Sequence, residues 1–212
     1  MDKSLCRIGV FYDGSFFTYA QLHFYAGRKL GWLTYTPFHA LIENHIGEKE
    51  QGYSRYRVVY AAWFQGLHTT TQSNDQQRRK DRNRDLDLVH AGIEPRYVPM
   101  SQAGGEKGID VALAVDAMQV GLQGTIDIAA LVTGDGDFVP LVCALMKHGV
   151  PVTAVYFEYE DQRGKSFIND RLLNACTYSL SVSSLERDRK YQSLFRGLFR
   201  SFEPAPNATK VA

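Results

Sequence analysis

Short apolar runs alternate with stretches of helical periodicity along most of the chain. The runs are almost continuous in hydrophobic side chains, as expected of parallel strands that are buried on both faces. They predict strands at Leu5–Tyr12, Tyr56–Phe64, Ile93–Val98, Ile126–Val132 and Val150–Phe157. This alternation is typical of an α/β domain, in which helices flank both faces of a parallel sheet.

Apolar residues at helical spacing predict the helices that lie between and after these strands. The predicted helices are Ser15–Ala26, Pro37–Ile46, residues from about 73 to 91, Ile109–Leu122, Phe138–His148 and Ser166–Ala175. The fifth ends in a histidine followed by Gly149, and a basic residue before glycine is a common helix stop. We therefore assign residues 1–183 to one α/β domain.

Residues 184–202 carry a separate amphipathic pattern. Their apolar side chains recur at helical spacing among several arginines, namely Leu185, Tyr191, Leu194, Phe195, Leu198, Phe199 and Phe202. The pattern predicts a C-terminal amphipathic helix, which either docks on its own domain or contacts a protein partner or a second copy of the chain. Residues 203–212 are predicted to be a disordered tail.

The composition changes this picture little. The chain has 212 residues, of which 44% are hydrophobic and 22% charged, as in ordinary globular proteins. Its net charge of +1 produces no strong overall field. Binding to a polyanion such as RNA would therefore depend on a local basic patch.

Cysteine usage and the N-terminal sequence favour a cytoplasmic protein with no membrane association. Cys6, Cys143 and Cys176 are far apart and match no metal-ligand spacing, so we expect buried free thiols. An odd number of cysteines favours a reducing compartment. The first apolar run ends at an aspartate rather than at a signal-peptide cleavage site, and no apolar run reaches membrane-spanning length.

Four aspartates lie where open α/β sheets usually bind their ligands. Asp13 follows the first predicted strand, and Asp135 and Asp137 follow the fourth. Asp110 opens the helix that precedes the fourth strand. Ligands of such sheets bind outside the carboxyl ends of the strands, near the point where the strand order reverses. If Asp13 and Asp135 lie on neighbouring strands, the four carboxylates can converge on one crevice.

Clustered carboxylates repel one another unless a cation compensates their charge. A ligand set made only of oxygen predicts a hard cation, Mg²⁺ or Mn²⁺. Each aspartate also has a structural interpretation. The pairs Asp13-Gly14 and Asp135-Gly136 are typical of turns, Asp137 suits a helix N-cap, and Asp110 complements a helix dipole.

Three motifs around these aspartates resemble the NYN family, whose members are relatives of the PIN-domain nucleases. They are VFYDGS at 10–15, KGIDVALAVDAM at 107–118 and LVTGDGDFVPLVCALMKHGVPVTAV at 131–155. The resemblance spans roughly residues 5–182. It implies a PIN-like, Rossmann-like fold, an acidic Mg²⁺ or Mn²⁺ site and, in active members, ribonuclease chemistry.

The resemblance assigns roles to individual residues. It implies that Asp13, Asp110, Asp135 and Asp137 are the catalytic and metal-binding acids. Thr133 occupies the place of the family's usual serine and keeps the hydroxyl group. Ser15 stands where the family commonly has asparagine, and serine is shorter and lacks the amide. We include Ser15 and Thr133 among the expected substrate-binding residues.

The candidate surface for binding RNA phosphates is the basic stretch at residues 78–84, RRKDRNR. Arg78, Arg79 and Lys80 are expected to contact phosphates without sequence preference, although charge runs are often simply solvated helix faces. Lys107 lies three residues before Asp110 and is expected to stabilise a phosphate near the metal.

The sequence therefore predicts a metal-dependent endoribonuclease that acts on single-stranded or structured RNA. The alternative is a non-catalytic module of the same fold that binds RNA or a protein. A phosphatase of the haloacid dehalogenase type is disfavoured, because that pattern needs two aspartates after the first strand and this chain has Asp13-Gly14-Ser15.

Overall fold

A computed structural model describes residues 4–67, 75–99, 108–162 and 164–200. The side chains at positions 67, 76–78, 80 and 99 lie outside this description. The predicted tail at 203–212 and Lys107 also lie outside the described residues.

The elements alternate between strands and helices over most of the chain. Their order is β1 (Cys6–Asp13), α1 (Gly14–Leu22), β2 (Trp32–Leu33), α2 (Tyr35–Lys49), β3 (Tyr56–Leu67), α3 (Asp75–His90), β4 (Glu94–Pro99), α4 (Ile109–Leu122), β5 (Ile128–Val132), α5 (Val139–Lys147), β6 (Val152–Tyr156), β7 (Tyr159–Asp161), β8 (Gly164–Ser166), α6 (Asp170–Ala175), β9 (Tyr178–Ser181), α7 (Gln192–Gly197) and β10 (Phe199–Arg200). A π-helical turn, His23–Gly27, extends α1.

Six strands form the central sheet, in the order β4-β3-β1-β5-β6-β9, and every neighbouring pair is parallel. The predicted parallel α/β sheet is confirmed, and all five predicted strands are present. The sixth strand, β9, was not predicted. Its sequence is Tyr-Ser-Leu-Ser, in which only Leu180 is fully buried, so it lacks the apolar run of the other strands.

Helices cover both faces of the sheet, as the alternating pattern predicted. On one face α1, α2 and α3 contribute Phe17, Phe38, Ile42 and Leu88 to a core with the β1 side chains Ile8, Val10 and Tyr12. On the other face α4, α5 and α6 contribute Leu113, Leu145 and Leu172 to a second core. Burial on both faces explains the nearly continuous apolar runs in the inner strands.

Two details of the predicted elements differ in the structure. The helix predicted over Ser166–Ala175 begins only at Asp170, because Ser166 belongs to a hairpin strand and the Asn169 side chain caps the helix. All three cysteines are free as predicted, but only Cys6 is buried; Cys143 is exposed on α5. Among the described helices, none has the length and apolar character needed to cross a membrane.

The C-terminal segment contains a much shorter α-helix than the one predicted over residues 184–202. A 3₁₀ turn at Ser183–Glu186 leads to α7, and β10 then pairs with β2 in an antiparallel ribbon. Leu185, Phe195 and Leu198 are buried in the core of the α1–α3 face. The described part of the apolar stripe that was a candidate partner surface therefore packs on its own domain, and Phe202 lies outside the described residues.

Replacing Phe195 with alanine should destabilise the fold, because the ring is only 1% exposed within the core. We expect the free energy of unfolding to fall by about 3–5 kcal/mol, as for other buried phenylalanines. Urea denaturation measures it. The matched control is Phe167→Ala, at a ring that is 55% exposed, where the change should stay within about 1 kcal/mol. Equal losses in the two variants would contradict the packing of this segment.

His39 should make the stability depend on pH. Its Nε2 is buried and has no hydrogen-bond partner within the described part of the chain, and burial lowers the pKa of His39 to about 4. At a pH between 6.5, the pKa of this side chain in the unfolded chain, and about 4, its pKa in the folded chain, His39 is protonated in the unfolded chain and neutral in the folded one. Protonation therefore favours unfolding, and the free energy of unfolding falls as the pH falls. The loss should reach about 1.4 kcal/mol for each pH unit.

Urea denaturation at several pH values between 6.5 and 4.5 tests this dependence. The pH slope should be shallower in His39→Gln than in the wild type. It should be unchanged in His148→Gln, since His148 is exposed. If the slope is the same in all three proteins, the buried histidine does not set it.

Candidate active site at the carboxyl edge of the sheet

The strand order reverses at β1. From β1 the chain builds outward through β3 to β4, then crosses back to β5 on the other side of β1. Tyr12 pairs with Val132, so β1 and β5 end side by side. An open α/β sheet forms its ligand crevice at such a reversal, outside the carboxyl ends of the strands.

Asp13 occupies the end of β1 and caps α1. Its Oδ1 accepts a hydrogen bond from the Phe16 N–H at 3.0 Å, which satisfies one of the unpaired donors of the first helical turn. Its Oδ2 accepts from the Thr133 hydroxyl at 3.3 Å. The half-buried carboxylate is therefore held by a helix on one side and by the exit of β5 on the other.

Thr133 connects two of the predicted acids. It is 1% exposed, and its hydroxyl donates to Asp13 while accepting the backbone N–H of Asp135 at 3.3 Å. Both distances are slightly longer than the usual hydrogen-bond range, so the two contacts are weak ones. β1 and β5 are neighbouring strands, as the convergence of the acids requires, and Thr133 links Asp13 to Asp135.

Asp135 and Asp137 are both exposed in the loop that follows β5. The Asp135 Oδ1 accepts the Asp137 N–H at 2.9 Å and so caps the 3₁₀ turn Gly136–Phe138. The interpretation of Asp137 as the helix cap is wrong, because Asp135 caps the 3₁₀ turn and α5 begins beyond Phe138 without a side-chain cap.

Asp110 lies in the first turn of α4 and is exposed. Because α4 follows β4 and leads back to the start of β5, its N-terminus lies at the carboxyl edge of the sheet. Gly108 precedes the helix in a left-handed conformation, with φ of 82°, which favours glycine. The fold therefore puts Asp110 at the same edge as the other acids.

The described part of the chain contains no group of three His, Cys, Asp or Glu side chains that could hold a metal ion. The structure links Asp13 to Asp135 through the Thr133 hydroxyl. It also connects Asp137 to Asp135, because the Asp137 N–H donates to the Asp135 carboxylate. The assembly of all four acids around one cation stays a prediction.

The glycines of the two Asp-Gly pairs are required by close packing. Neither Gly14 nor Gly136 has a positive φ, so the turn interpretation does not explain them. A Cβ on Gly14 would lie 2.5 Å from Trp63 Nε1 and 2.7 Å from the Phe64 carbonyl oxygen. A Cβ on Gly136 would lie 2.6 Å from the Asn169 side chain. The glycines let α1 approach β3 and let the acid loop approach α6.

Asn169 is a site residue that the sequence analysis missed. Its backbone N–H donates to the Gly134 carbonyl at 2.9 Å, and its side chain packs on Gly136 between two of the acids. Its Oδ1 also accepts the Arg171 N–H at 2.9 Å to cap α6. An asparagine before a helical run is a recognised N-cap signal, but nothing local connects it with a loop over thirty residues earlier.

The basic stretch 78–84 lies on α3, as predicted. Arg79 is exposed, whereas the side chains of Arg78 and Lys80 lie outside the description. Arg84 is half-buried, with ion pairs to Asp81 at 3.2 Å and Asp85 at 3.9 Å and its guanidinium 5.8 Å from the centre of the Tyr97 ring. Arg84 therefore contributes to packing, and Arg79 remains a candidate phosphate contact. Ser15 is half-buried in the first turn of α1.

Comparison with known families agrees with this architecture. The NYN domain family matches residues 7–184, which is most of the chain. The chain belongs to the NYN family. Because NYN domains are PIN-like nuclease domains, membership indicates a nuclease-like, RNA-related function for this chain.

A crystal structure of a protein of unknown function from Vibrio parahaemolyticus RIMD 2210633 has a similar fold. It superposes with a TM-score of 0.56, covering 87% of this chain and 94% of the Vibrio chain at 22% sequence identity. At that identity the likeness establishes the fold alone. No curated protein matches this NYN chain significantly.

Gly14→Ala tests the close approach of α1 to β3 in this NYN domain. The added methyl group has no room against the buried Trp63, so we expect a loss of about 1–3 kcal/mol in the free energy of unfolding. The control is Gly197→Ala, where a Cβ meets nothing within 4 Å. That change should be neutral or stabilising by up to about 1 kcal/mol. Equal effects on thermal unfolding would show that Gly14 is not confined in this way.

Proposed function

We propose that this NYN domain is a metal-dependent ribonuclease that hydrolyses RNA phosphodiesters at Asp13, Asp110, Asp135 and Asp137. The observation that supports it most strongly is the bridge from Asp13 through Thr133 to Asp135 at the reversal of the strand order. Carboxylates at this position in an open α/β sheet face the usual ligand crevice.

The donor chemistry of these residues fits Mg²⁺ or Mn²⁺. All four acids offer oxygen, and a carboxylate has about four acceptor positions. Asp13 accepts hydrogen bonds from Phe16 and Thr133, and Asp135 accepts one from Asp137. When bound, a divalent cation polarises a phosphoryl oxygen and favours ionisation of water.

The chain itself orients the acids and binds the substrate. The Thr133 hydroxyl and the α1 backbone fix the direction of the Asp13 carboxylate before any ligand arrives. Fixed acids avoid the cost of reorganisation during the reaction. Ser15 is proposed to contact the substrate at the crevice. Thr133, which the resemblance also placed among the substrate-binding residues, is 1% exposed and donates its hydroxyl proton to Asp13, so it is proposed to act by positioning that acid. Lys107, Arg78, Arg79 and Lys80 are proposed to bind its phosphates.

A non-catalytic RNA-binding module is the second candidate. It is favoured by the absence, within the described residues, of three side chains grouped as metal ligands. Deleting residues 184–212 does not discriminate between the candidates, because Phe195 and Leu198 belong to the core. A cytoplasmic location remains part of the proposal.

The test is cleavage of labelled single-stranded and hairpin RNA by the purified protein with Mn²⁺, with Mg²⁺ and with EDTA. We expect cleavage that needs the metal. Asp135→Asn should reduce it at least about 100-fold, because a ligand of the metal stabilises the transition state by several kcal/mol. Both RNA forms are included because either is a candidate substrate.

The matched control is Asp188→Asn. Asp188 is exposed, and its side chain accepts the backbone N–H of Lys190 and so caps a turn in the C-terminal segment. It makes the same chemical change and should leave the rate within about twofold of the wild type. Full activity in Asp135→Asn would exclude the four-aspartate mechanism. If the folded wild type cleaves RNA neither with Mn²⁺ nor with Mg²⁺, the binding module becomes the better candidate.

A further inference from the structure

An exposed aromatic ring lies beside the acid loop. Phe167 leaves 55% of its surface in solvent. Its carbonyl oxygen is so close to Gly134 that a Cβ on that glycine would lie 2.9 Å away. Gly134 directly precedes Asp135, so Phe167 belongs to the segment that packs against the loop of Asp135 and Asp137.

The backbone on both sides of Phe167 is fixed. Before it, Ser166 pairs with Tyr159 in the β7–β8 hairpin. After it, Ile168 is buried, and the Asn169 N–H donates to the Gly134 carbonyl at 2.9 Å. The hydrophobic anchoring of the segment thus comes from Ile168, and the exposed ring of Phe167 is left available at a defined position.

A second exposed ring lies near the same hairpin. Tyr19, on α1 less than two turns after Asp13, is 67% exposed. Tyr19 lies one helical turn before His23, whose ring stacks on Tyr159 with 4.1 Å between the ring centres, so Tyr19 is on the helix face next to this strand. Lys165 is exposed on the facing strand of the hairpin. Exposed aromatic rings and a cation therefore lie on or next to the hairpin that leads to Phe167.

Exposed aromatic rings beside a phosphate-cleaving site are suited to unpaired bases. A base stacks on an aromatic side chain with little sequence preference, and each such contact strengthens binding by roughly 5- to 150-fold. Bases inside a duplex are already stacked on their neighbours and present only their edges. A ring at this position therefore distinguishes single-stranded RNA from duplex RNA.

We propose that Phe167 stacks on an unpaired base and selects single-stranded RNA as the substrate of the acid site. This inference rests on the proposed function, since it names the substrate class of the same site. Phe167 is a binding and positioning residue here, and it takes no part in the proton or phosphoryl transfer itself.

The experiment measures binding of a single-stranded RNA that carries 2-aminopurine, and of the same RNA in a duplex, by fluorescence anisotropy. Asp135→Asn is the background, with Mg²⁺ present, so that the RNA stays intact. Adding Phe167→Ala should weaken binding of the single strand roughly 5- to 150-fold. Binding of the duplex should change less than about twofold, and quenching of 2-aminopurine by stacking should be lost.

Substitutions separate stacking from simple apolar contact. Phe167→Trp should keep both the affinity and the quenching, whereas Phe167→Leu should behave like Phe167→Ala because it lacks a ring. Leu122→Ala, which removes an apolar side chain that is 57% exposed on α4, is the control and should change neither. Equal losses for single strand and duplex, or full binding by Phe167→Leu, would overturn the inference.

Cleavage by the wild type, measured in parallel, distinguishes this inference from the proposed function. If the wild type cleaves RNA and Phe167→Ala has unchanged affinity for the single strand, the stacking role is wrong and the nuclease stands. If no cleavage occurs but single-strand binding still depends on the ring, the nuclease proposal fails and the stacking role stands. A change of oligomeric state on ultracentrifugation, with RNA affinity unchanged, would assign Phe167 to a protein contact instead.

Discussion

The parallel pairing of β1 with β5 is the contact on which the candidate site depends. β1 lies between β3 and β5, and its last residues pair with the last residues of β5. The pairing brings residues 120 positions apart within reach of one hydrogen bond, from Thr133 to Asp13. A register shift of one residue would point these side chains to opposite faces of the sheet.

An aromatic cluster keeps α1 in the position that this pairing requires. The buried Tyr12 ring lies 5.5 Å from Phe17 and 5.8 Å from Trp63, measured between ring centres. Phe17 belongs to α1 and Trp63 to β3, so the cluster joins the helix to the strand beside β1. Gly14 permits the close approach of these elements, and Asp13 caps the helix where it enters. The orientation of the acid is thus part of the packing of the core.

The structural and functional interpretations of the acids are compatible with each other. Asp13 and Asp135 both cap helical turns. A carboxylate that already accepts backbone N–H groups has a fixed direction, which is useful at a site that binds charge. Capping gives these acids a structural role in the folded chain, and their position at the carboxyl edge of the sheet is compatible with the proposed metal site.

The sequence by itself determined the parallel sheet, its five main strands and the positions of the acids after β1 and β5, because apolar runs and Asp-Gly pairs are local signals. The tertiary structure alone decided the rest. The apolar pattern over residues 184–202 marked Leu185, Phe195 and Leu198, which are buried, but α7 spans only Gln192–Gly197, and β10 then pairs with the distant β2. Asn169 and Phe167 reach the acid loop only because the chain returns there after β6. Such contacts depend on long-range packing, which no local pattern of residues records.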